Sequence, residues 1–328
     1  MFTSEKINTI SGSQKGIALL LILWVLTILM VIVLSFSYMA RTETYSTLSF
    51  KEGIEKKFLA EAGIERGIME LFYRNINKNL PMTEDMEVWK TDGRPYSGQI
   101  GDGYYSVRIM DESGKVDINT VSEVILKNLF INLGVQTEEV DTIVDSIMDW
   151  KDPDDFHRLH GVESDYYMSL PNPYKAKNAN FDTLEELLLV KGMTSEILYG
   201  GAEKKGIIDF LTVNSGTNEI NINAAPKEVL MAIPGMTPEI ADQIISFRQN
   251  REIEGIEDIE GITGEIIDLM DQYIDTEGTN TFTIEATGYR VTEKESYDIR
   301  ATVVIAEDYA EDNKYNYLYY KSPTRIRQ

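Results

Sequence analysis

The hydrophobic pattern is most uneven near the N-terminus, where residues 17–40 carry no charge. The stretch IALLLILWVLTILMVIVLSFSYMA lies between Lys15 and Arg41. As a helix it extends about 36 Å at 1.5 Å per residue, which is enough for a bilayer core of about 30 Å. A buried helix of a soluble protein rarely stays apolar for so long, and the apolar region of a cleaved secretory signal is shorter, about 7–15 residues. The pattern predicts a retained membrane anchor, and Lys6 and Lys15 ahead of it favour a cytoplasmic N-terminus.

A proline-free stretch extends the predicted helix beyond the apolar run to about Arg74. At 3.6 residues per turn its large apolar residues fall near one face, namely Phe50, Ile54, Phe58, Met69 and Phe72. Glu61 and Glu65 interrupt that face, and each glycine in the stretch costs about 1 kcal/mol relative to alanine. We therefore expect this part of the helix to need packing against another element.

The remaining chain reads as strands at both ends of a mainly helical stretch. Alternating apolar positions predict a strand at 104–110, a turn at 111–115 with a short strand after it, and two antiparallel strands in TFTIEATGYRV and SYDIRATVVIAE. Helices are predicted at 121–133, 138–150, 184–190, 226–233, 238–250 and 262–273. The predicted fold class is α+β, with a long N-terminal helix on an antiparallel sheet and a large inserted α-helical domain.

Composition narrows the classes of function. The formal net charge of −23 argues against a free-standing nucleic-acid binder, because phosphate binding depends on Lys and Arg. The absence of cysteine excludes disulfides, thiolate catalysis and cysteine-based zinc sites, and only two histidines are present. We find no nucleophile elbow, phosphate loop or metalloprotease motif, so we predict a protein that is not an enzyme.

A short motif precedes the apolar run. The sequence SQKGIALL at 13–20 places a basic residue and a glycine directly before it, and this resembles the leader of prepilins. The resemblance implies cleavage by a prepilin peptidase between Gly16 and Ile17, with methylation of the new N-terminus. The membrane helix would then stay on the mature protein. Glycine suits this position because it breaks the helix and lets the backbone extend into a protease cleft.

Several further segments, in this order, resemble the family of the type II secretion minor pseudopilin K, also called general secretion pathway protein K. They are FLAEAGIERGI, DESGKVDINT, DSIMDWKDPDD, DYY, LEELLLVKGM and ININAAPKEVLMAIPGM, and the resemblance that they carry with the leader extends over nearly the whole chain. Most pilins have a glutamate as the fifth mature residue, where this chain has Leu21. A carboxylate in the membrane needs a partner, such as the N-terminal ammonium of a neighbouring subunit. A subunit at the filament tip has no subunit ahead of it, and pseudopilin K is the family member without this glutamate, so Leu21 is predicted to mark a tip position.

This resemblance implies a pilin-like fold and a role in assembly. The predicted function is to cap or initiate the periplasmic pseudopilus of a type II protein secretion system, as a single-pass protein of the inner membrane with a periplasmic C-terminal domain. The predicted partners are other minor pseudopilins, the major pseudopilin and the prepilin peptidase, and nucleic acid is not among them. The predicted regions are a leader (1–16), a transmembrane segment (17–40), a periplasmic helix with the first part of the sheet (41–116), the inserted helical domain (117–278) and the remaining sheet with the tail (279–328).

An acidic cluster follows the predicted helix at 138–150. Calcium takes six to eight oxygen ligands, so the cluster is a candidate calcium site, and the resemblance supports this because pseudopilin K is known for calcium in its large domain. The residues predicted to bind the ion are Asp149, Asp152, Asp154 and Asp155, with Glu163 and Asp165 nearby. A solvated acidic loop that caps helices is the alternative. His157 and His160 have the spacing of one helical face, but without a clear third zinc ligand we expect them at the surface.

A helix-hairpin-helix pattern in APKEVLMAIPGMTPEIADQIISFR, with a shorter echo in LEELLLVKGMTSEIL, leaves another function open. In nucleic-acid enzymes such hairpins donate backbone N–H groups to phosphate. From residue 221 to 275, however, the sequence has three basic and twelve acidic residues, which would repel a phosphate backbone. The acidic surroundings thus argue against DNA binding, and a membrane-tethered DNA-uptake protein is kept only as the alternative interpretation. A signal-anchored hydrolase is a second alternative.

Overall fold

The first part of the chain forms a single long helix. The computed structural model describes residues 13–77, 88–201, 204–259, 262–291, 295–306, 314–324 and 326. The chain divides into two compact units, Met1–Lys57 and Phe58–Gln328. Helix α1 spans Ser13–Asn77, so the predicted helical extension is confirmed and ends slightly later than expected. Among the described residues, α1 is the one helix long and apolar enough to cross a membrane, with a mean hydropathy of 3.3 in its most apolar window, none of which is buried.

The second unit contains a five-stranded antiparallel sheet in the order β1-β2-β7-β8-β9. Its strands are β1 (Asp92–Ile100), β2 (Gly103–Asp111), β7 (Thr281–Tyr289), β8 (Tyr297–Ile305) and β9 (Tyr315–Thr324). The predicted strands β2, β7 and β8 are confirmed. Edge strands β1 and β9 were not predicted, because neither shows a regular apolar alternation.

One face of α1 packs on this sheet. The buried side chains on the helix are those of Ala60, Ile64, Ile68 and Leu71, and they meet aliphatic residues from β2, β7 and β8. Phe58 and Met69, which lie on the face outlined by the large apolar residues, are each 61% exposed. That face therefore does not form the core, because the contact surface instead uses small and branched residues that allow close approach.

The region between β2 and β7 is mainly helical, which confirms the predicted insertion into the sheet. Its helices are α2 (Glu123–Asn132), α3 (Thr137–Lys151), α4 (Ser164–Met168), α5 (Ser195–Tyr199), α6 (Lys227–Leu230), α7 (Pro238–Asn250) and α8 (Gly264–Met270). We call this stretch, residues 112–280, the inserted region. The exact domain boundaries drawn from the sequence stay predictions.

Some predicted helices have a different form. The helix predicted at 184–190 is a 3-10 helix, Leu184–Leu189, and the one predicted at 226–233 is reduced to α6. The helix predicted at 262–273 divides into α8 and a 3-10 turn, Asp271–Tyr273. Helix α4 was not predicted, because five residues are too few to show a helical period, whereas α5 forms the second helix of the shorter hairpin echo LEELLLVKGMTSEIL.

Two short parallel strand pairs join distant parts of the inserted region. Strand β3 (Val116–Asp117) pairs with β4 (Leu211–Thr212), and β5 (Ile220–Asn221) pairs with β6 (Ile274–Asp275). The short strand predicted after β2 is thus present as β3. These pairs fix both ends of the inserted region close to the start of β7.

Candidate metal centre in the acidic loop

The candidate centre lies in the acidic loop, residues 152–163, which joins the end of α3 to the start of α4. Asp152 follows the helix with φ −77° and ψ 158°, so the chain turns out of the helical conformation there. Pro153 accounts for this, because a proline disfavours the helical region for the residue before it. Lys151 holds the helix end in place, since its Nζ donates to the carbonyl oxygens of Ile118 at 2.9 Å and Asn119 at 3.1 Å. Burial lowers the pKa of Lys151 to about 8.

Arg158 folds back onto the end of α3. Its guanidinium Nη1 donates to Asp149 Oδ1 at 2.8 Å and to Asp152 Oδ2 at 2.7 Å, and its backbone N–H also donates to the Asp149 carboxylate. Asp149 is fully buried. Gly161 passes so close that a Cβ there would lie 2.0 Å from Asp149 Oδ2, which only glycine can tolerate. Asp149 is therefore already engaged within the protein, although burial raises its pKa against the opposing effect of Arg158.

Three other carboxylates converge beside this ion pair. One oxygen from each of Asp152, Asp154 and Glu163 lies within 4.8 Å of the others. Calcium–oxygen distances are about 2.3–2.6 Å, so two oxygens on opposite sides of one ion lie about 4.6–5.2 Å apart. The spacing therefore leaves room for a single ion between the three oxygens, and calcium at this site stays a prediction.

Glu163 provides the strongest sign that the group is made for a cation. It is 3% exposed, and neither carboxylate oxygen has a hydrogen-bond partner among the described residues. Asp152 Oδ1 is also buried without a partner there. Burial, together with the nearby negative charges of Asp149 and Asp152, raises the pKa of Glu163 to about 7. A buried carboxylate without a partner is costly, and a bound cation would satisfy it.

The four residues predicted as ligands have different surroundings. Asp152 and Asp154 lie in the converging group, whereas Asp149 is bound by Arg158. Asp155 is exposed, and its Oδ1 accepts a hydrogen bond from Asn178 Nδ2 at 3.3 Å. Glu163 was recognised only as a neighbour, because eight residues of irregular loop separate it from Asp154. The ligand assignment stays a prediction, and the geometry points to Asp152, Asp154 and Glu163.

His157 and His160 do not share a helical face, because residues 155–160 form an irregular loop. His157 Nδ1 lies 3.0 Å from the Arg158 carbonyl oxygen. His160 Nδ1 lies 3.3 Å from Asp145 Oδ2, which also accepts the His160 backbone N–H at 3.0 Å. Both histidines are exposed, as the sequence analysis expected.

An aromatic cluster supports the loop from inside. The Trp150 ring lies 5.2 Å from Tyr167 and 6.4 Å from Phe181 between ring centroids, and Tyr167 lies 5.2 Å from Tyr174. Trp150 ends the buried face of α3, and Tyr167 belongs to α4 directly after Glu163. The cluster therefore holds the two chain segments that carry the converging carboxylates.

The hairpin between α6 and α7 has its basic residues occupied. Arg248 is buried, and its guanidinium donates to the carbonyl oxygens of Ile222 at 2.7 Å and Ala225 at 2.8 Å. Lys227 pairs with Asp242 at 2.5 Å, and Arg251 lies 4.4 Å from the Phe247 ring centroid. Gly235, with φ +85°, makes the sharp turn that the hairpin needs. These contacts leave the hairpin as a packing unit, with no basic surface for phosphate among the described residues.

The residues of the predicted leader junction lie at the start of α1. Ile17 is 61% and Leu21 62% exposed, as expected for side chains that face lipid or another subunit. Residues 1–12 of the predicted leader lie outside the described residues. Cleavage at Gly16 and the role of Leu21 stay predictions.

Sequence comparison finds two models of known families or motifs that match parts of the chain. Residues 107–199 match the family model for protein K of the type II secretion system, and residues 215–272 match the helix-hairpin-helix motif. The first match includes the acidic loop, and the second includes the hairpin between α6 and α7.

Relatives are found among enterobacterial secretion proteins. The chain is 23% identical over 201 residues to a putative type II secretion system protein K of Escherichia coli strain K12, covering 57% of this chain. It is 25% identical over 198 residues to type II secretion system protein K of Pectobacterium carotovorum subsp. carotovorum, covering 56% of this chain. In both cases the match spans 60% of the relative's length.

The fold also has a solved counterpart. It is similar to a chain in the crystal structure of the GspK-GspI-GspJ complex from the type 2 secretion system of enterotoxigenic Escherichia coli, with a TM-score of 0.57 and 14% identity. The alignment covers 86% of this chain and 100% of that one. The fold is thus confirmed as a pilin-like α+β fold with a helical insertion, and the predicted resemblance of this chain to type II secretion system protein K is confirmed.

Proposed function

We propose that this chain is a minor pseudopilin of a type II protein secretion system that caps or initiates the periplasmic pseudopilus at its tip. In this role the protein has no catalytic activity and acts by assembly. The observation that carries the proposal is helix α1, in which an unburied apolar run is followed by a face that packs on an antiparallel sheet. The similarity to protein K of this secretion system supports the same role.

In this proposal the apolar run anchors the protein in the inner membrane until assembly. A prepilin peptidase cuts between Gly16 and Ile17 and the new N-terminus is methylated. The remainder of the chain lies in the periplasm. During assembly, contacts with neighbouring stems replace the lipid around residues 17–40, and packing of apolar helices compensates for the lost lipid contacts.

The proposed partners are other minor pseudopilins and the major pseudopilin. The structural relative belongs to a complex of GspK, GspI and GspJ, so the matching subunits of this chain's own secretion system are the first partners to test. Full-length protein, solubilised in detergent, should co-purify with both. N-terminal sequencing of that material should begin at Ile17. A protein that begins near residue 40, or that binds neither subunit, would contradict the proposal.

The tip position has its own test at Leu21. In Leu21→Glu a carboxylate enters the membrane segment, where its favourable partner is the N-terminal ammonium of a subunit ahead. A tip subunit has none, so we expect poor membrane insertion or pseudopili of altered length. Leu21→Gln is the matched control, because it is polar without the charge. Unchanged pseudopili in Leu21→Glu would refute this role for Leu21.

We also propose that Asp152, Asp154 and Glu163 bind calcium. The ion would neutralise carboxylates that otherwise repel one another and would join the end of α3 to the start of α4. Its contribution would be structural, since it fixes the loop between these helices. Calcium binding by the purified full-length protein, measured by titration calorimetry, tests the site, and Glu163→Gln should abolish it.

A further inference from the structure

The loop that follows α3 exposes two large apolar side chains. Phe156 is 84% exposed and Leu159 is 87% exposed, although both belong to the folded second unit. We call residues 153–160 the apolar loop. A single exposed apolar residue is common and needs no explanation. Two such residues three positions apart in one short loop give this loop an exposed apolar character.

The backbone of the apolar loop is held firmly at several points. The Phe156 N–H donates to Asp154 Oδ1 at 2.8 Å, the Arg158 N–H to Asp149 Oδ2 at 3.0 Å and the His160 N–H to Asp145 Oδ2 at 3.0 Å. Carboxylates that accept backbone N–H groups form strong, charge-assisted hydrogen bonds. The loop shape is therefore set by side chains of α3 and of the loop itself.

Asn178 holds the other side of the loop. Its Nδ2 donates to the Asp154 carbonyl oxygen at 3.2 Å, and its backbone N–H donates to the Trp150 carbonyl oxygen at 2.9 Å. Asn178 has φ +48°, a left-handed conformation that is uncommon for residues other than glycine. The fold thus adopts an unfavourable backbone conformation at a residue that fixes the apolar loop.

These contacts order the loop without burying Phe156 or Leu159. An ordered loop normally packs its apolar side chains into a core, but here neither Phe156 nor Leu159 does so. Binding benefits from such an arrangement, because a side chain that is already positioned loses less conformational entropy on association. Well-positioned aromatic and aliphatic side chains that fill a pocket are typical anchors of protein interfaces.

The charge around the loop indicates what the partner surface looks like. Asp155 is exposed beside Phe156 and lies outside the proposed calcium site, whereas the guanidinium of Arg158 is occupied by Asp149 and Asp152. The rim of the loop is therefore negative, and the whole chain carries −23. An anionic lipid surface would repel such a rim. A protein pocket rimmed by Lys or Arg would attract it.

We propose that the apolar loop is a docking element that inserts Phe156 and Leu159 into an apolar pocket of a folded partner protein, with basic residues at the rim of that pocket. The inference goes beyond the proposed function, since stem packing between pseudopilins uses α1. Asp155, which is not among the proposed calcium ligands, steers the partner into place, and the two apolar side chains provide the contact area.

Site-specific crosslinking of the full-length protein in its native host tests this inference. A photoreactive benzoylphenylalanine replaces Phe156, and the same residue at Val291, which is 77% exposed, is the matched control. We expect one discrete protein adduct from position 156 that is absent from position 291 and that Leu159→Ser abolishes. Peptide mapping should place the crosslink in an apolar pocket flanked by Lys or Arg.

The identified protein is then purified and its affinity measured. Leu159→Ser and Phe156→Ser should each weaken binding at least about ten-fold, and added salt should weaken binding to the unaltered protein. Both variants should keep the melting temperature and the association with the GspI-like and GspJ-like subunits, so failure of the loop is separated from failure of the pseudopilin assignment. Equal adducts at both positions, a crosslink only to lipid or to a second copy, no loss of affinity, or unfolding of the serine variants would each overturn the inference.

Discussion

The sheet and the acidic loop are two regions of the same folded unit that are stabilised by opposite means. Between α1 and the sheet, aliphatic side chains such as Ile64 and Ile284 pack at 1% exposure or less. At the end of α3, the buried groups include the carboxylates of Asp149 and Glu163. Apolar packing depends little on pH or ions, whereas a buried carboxylate depends on the positive charge supplied to it. The two regions should therefore respond to different perturbations.

The largest effect is expected from removing an aliphatic side chain between α1 and the sheet. Ile64→Ala should lower the free energy of unfolding by about 2–5 kcal/mol, because it leaves a cavity in a fully packed core. Phe58→Ala, at a side chain that is 61% exposed, should change it by less than about 0.5 kcal/mol. Urea unfolding of the full-length protein in detergent measures both. Equal losses in the two variants would mean that the face of α1 has been assigned wrongly.

This contrast also explains what sequence reasoning could not find in α1. The helix itself was predictable, because its apolar run and lack of proline extend over so many residues. The packed face was not, since large residues such as Phe58 and Met69 suggest a face that the fold leaves exposed. The true face contains Gly63 and Gly67, which lower helix propensity in isolation but permit close contact. Only the partner strand shows why small residues are needed there.

A second prediction concerns calcium at the acidic loop. At a calcium concentration one hundred times the dissociation constant, the unaltered protein should gain about 2.7 kcal/mol in its free energy of unfolding. Glu163→Gln should lose nearly all of this gain, because it removes the buried charge of the site. Asp165→Asn is the matched control and should keep the gain.

Hydrogen–deuterium exchange can assign that effect to a region. With calcium, protection should increase in peptides from the end of α3 and from α4, and peptides from β2 and β7 should stay unchanged. If calcium increased protection equally in peptides from the sheet, the two regions would not differ in their response to the ion. If calcium does not change the exchange of the unaltered protein, the proposed calcium site is wrong.

The acidic loop shows a different limit of prediction. The cluster of carboxylates after α3 was visible in the sequence, and two of its members, Asp152 and Asp154, converge as expected. The sequence did not reveal that Arg158 would occupy Asp149, or that the next turn of chain would bring Glu163 inward. Both depend on how an irregular loop closes, which no periodic pattern encodes. The signal that the sequence offered for Glu163 was its closeness to the cluster, since eight residues separate it from Asp154.

A third prediction tests the close approach of α1 to the sheet. A Cβ at Gly63 would lie 3.0 Å from the Ala286 Cβ and 3.1 Å from a Val107 methyl group. Gly63→Leu should therefore destabilise the protein by about 1–3 kcal/mol through overpacking. A Cβ at Gly53 would meet nothing within 4 Å, so Gly53→Leu should stabilise the helix slightly, by up to about 1 kcal/mol. A Gly63→Leu variant as stable as Gly53→Leu would show that the helix and sheet are less tightly packed.

The smallest effect is expected at Asp111, where the sheet joins the inserted region. This residue ends β2 and is 4% exposed, and its Oδ1 accepts hydrogen bonds from the Ser113 backbone N–H at 2.9 Å and the Ser113 hydroxyl at 2.6 Å. Burial raises the pKa of Asp111 above its ordinary value, although these hydrogen bonds act in the opposite direction. The folded protein therefore holds this proton more tightly than the unfolded chain does.

The sign of the pH dependence follows from that difference. The contribution of Asp111 to stability is fully present below the pKa of the unfolded chain, about 3.9, and is lost as the pH rises through the higher pKa of the folded state. Asp111→Asn keeps an oxygen acceptor and removes the titration. The free energy of unfolding of the unaltered protein minus that of Asp111→Asn should thus fall as the pH rises above about 4. A difference that rises with pH would mean that the hydrogen bonds outweigh burial, and the junction would then behave like the charged loop rather than like the apolar core.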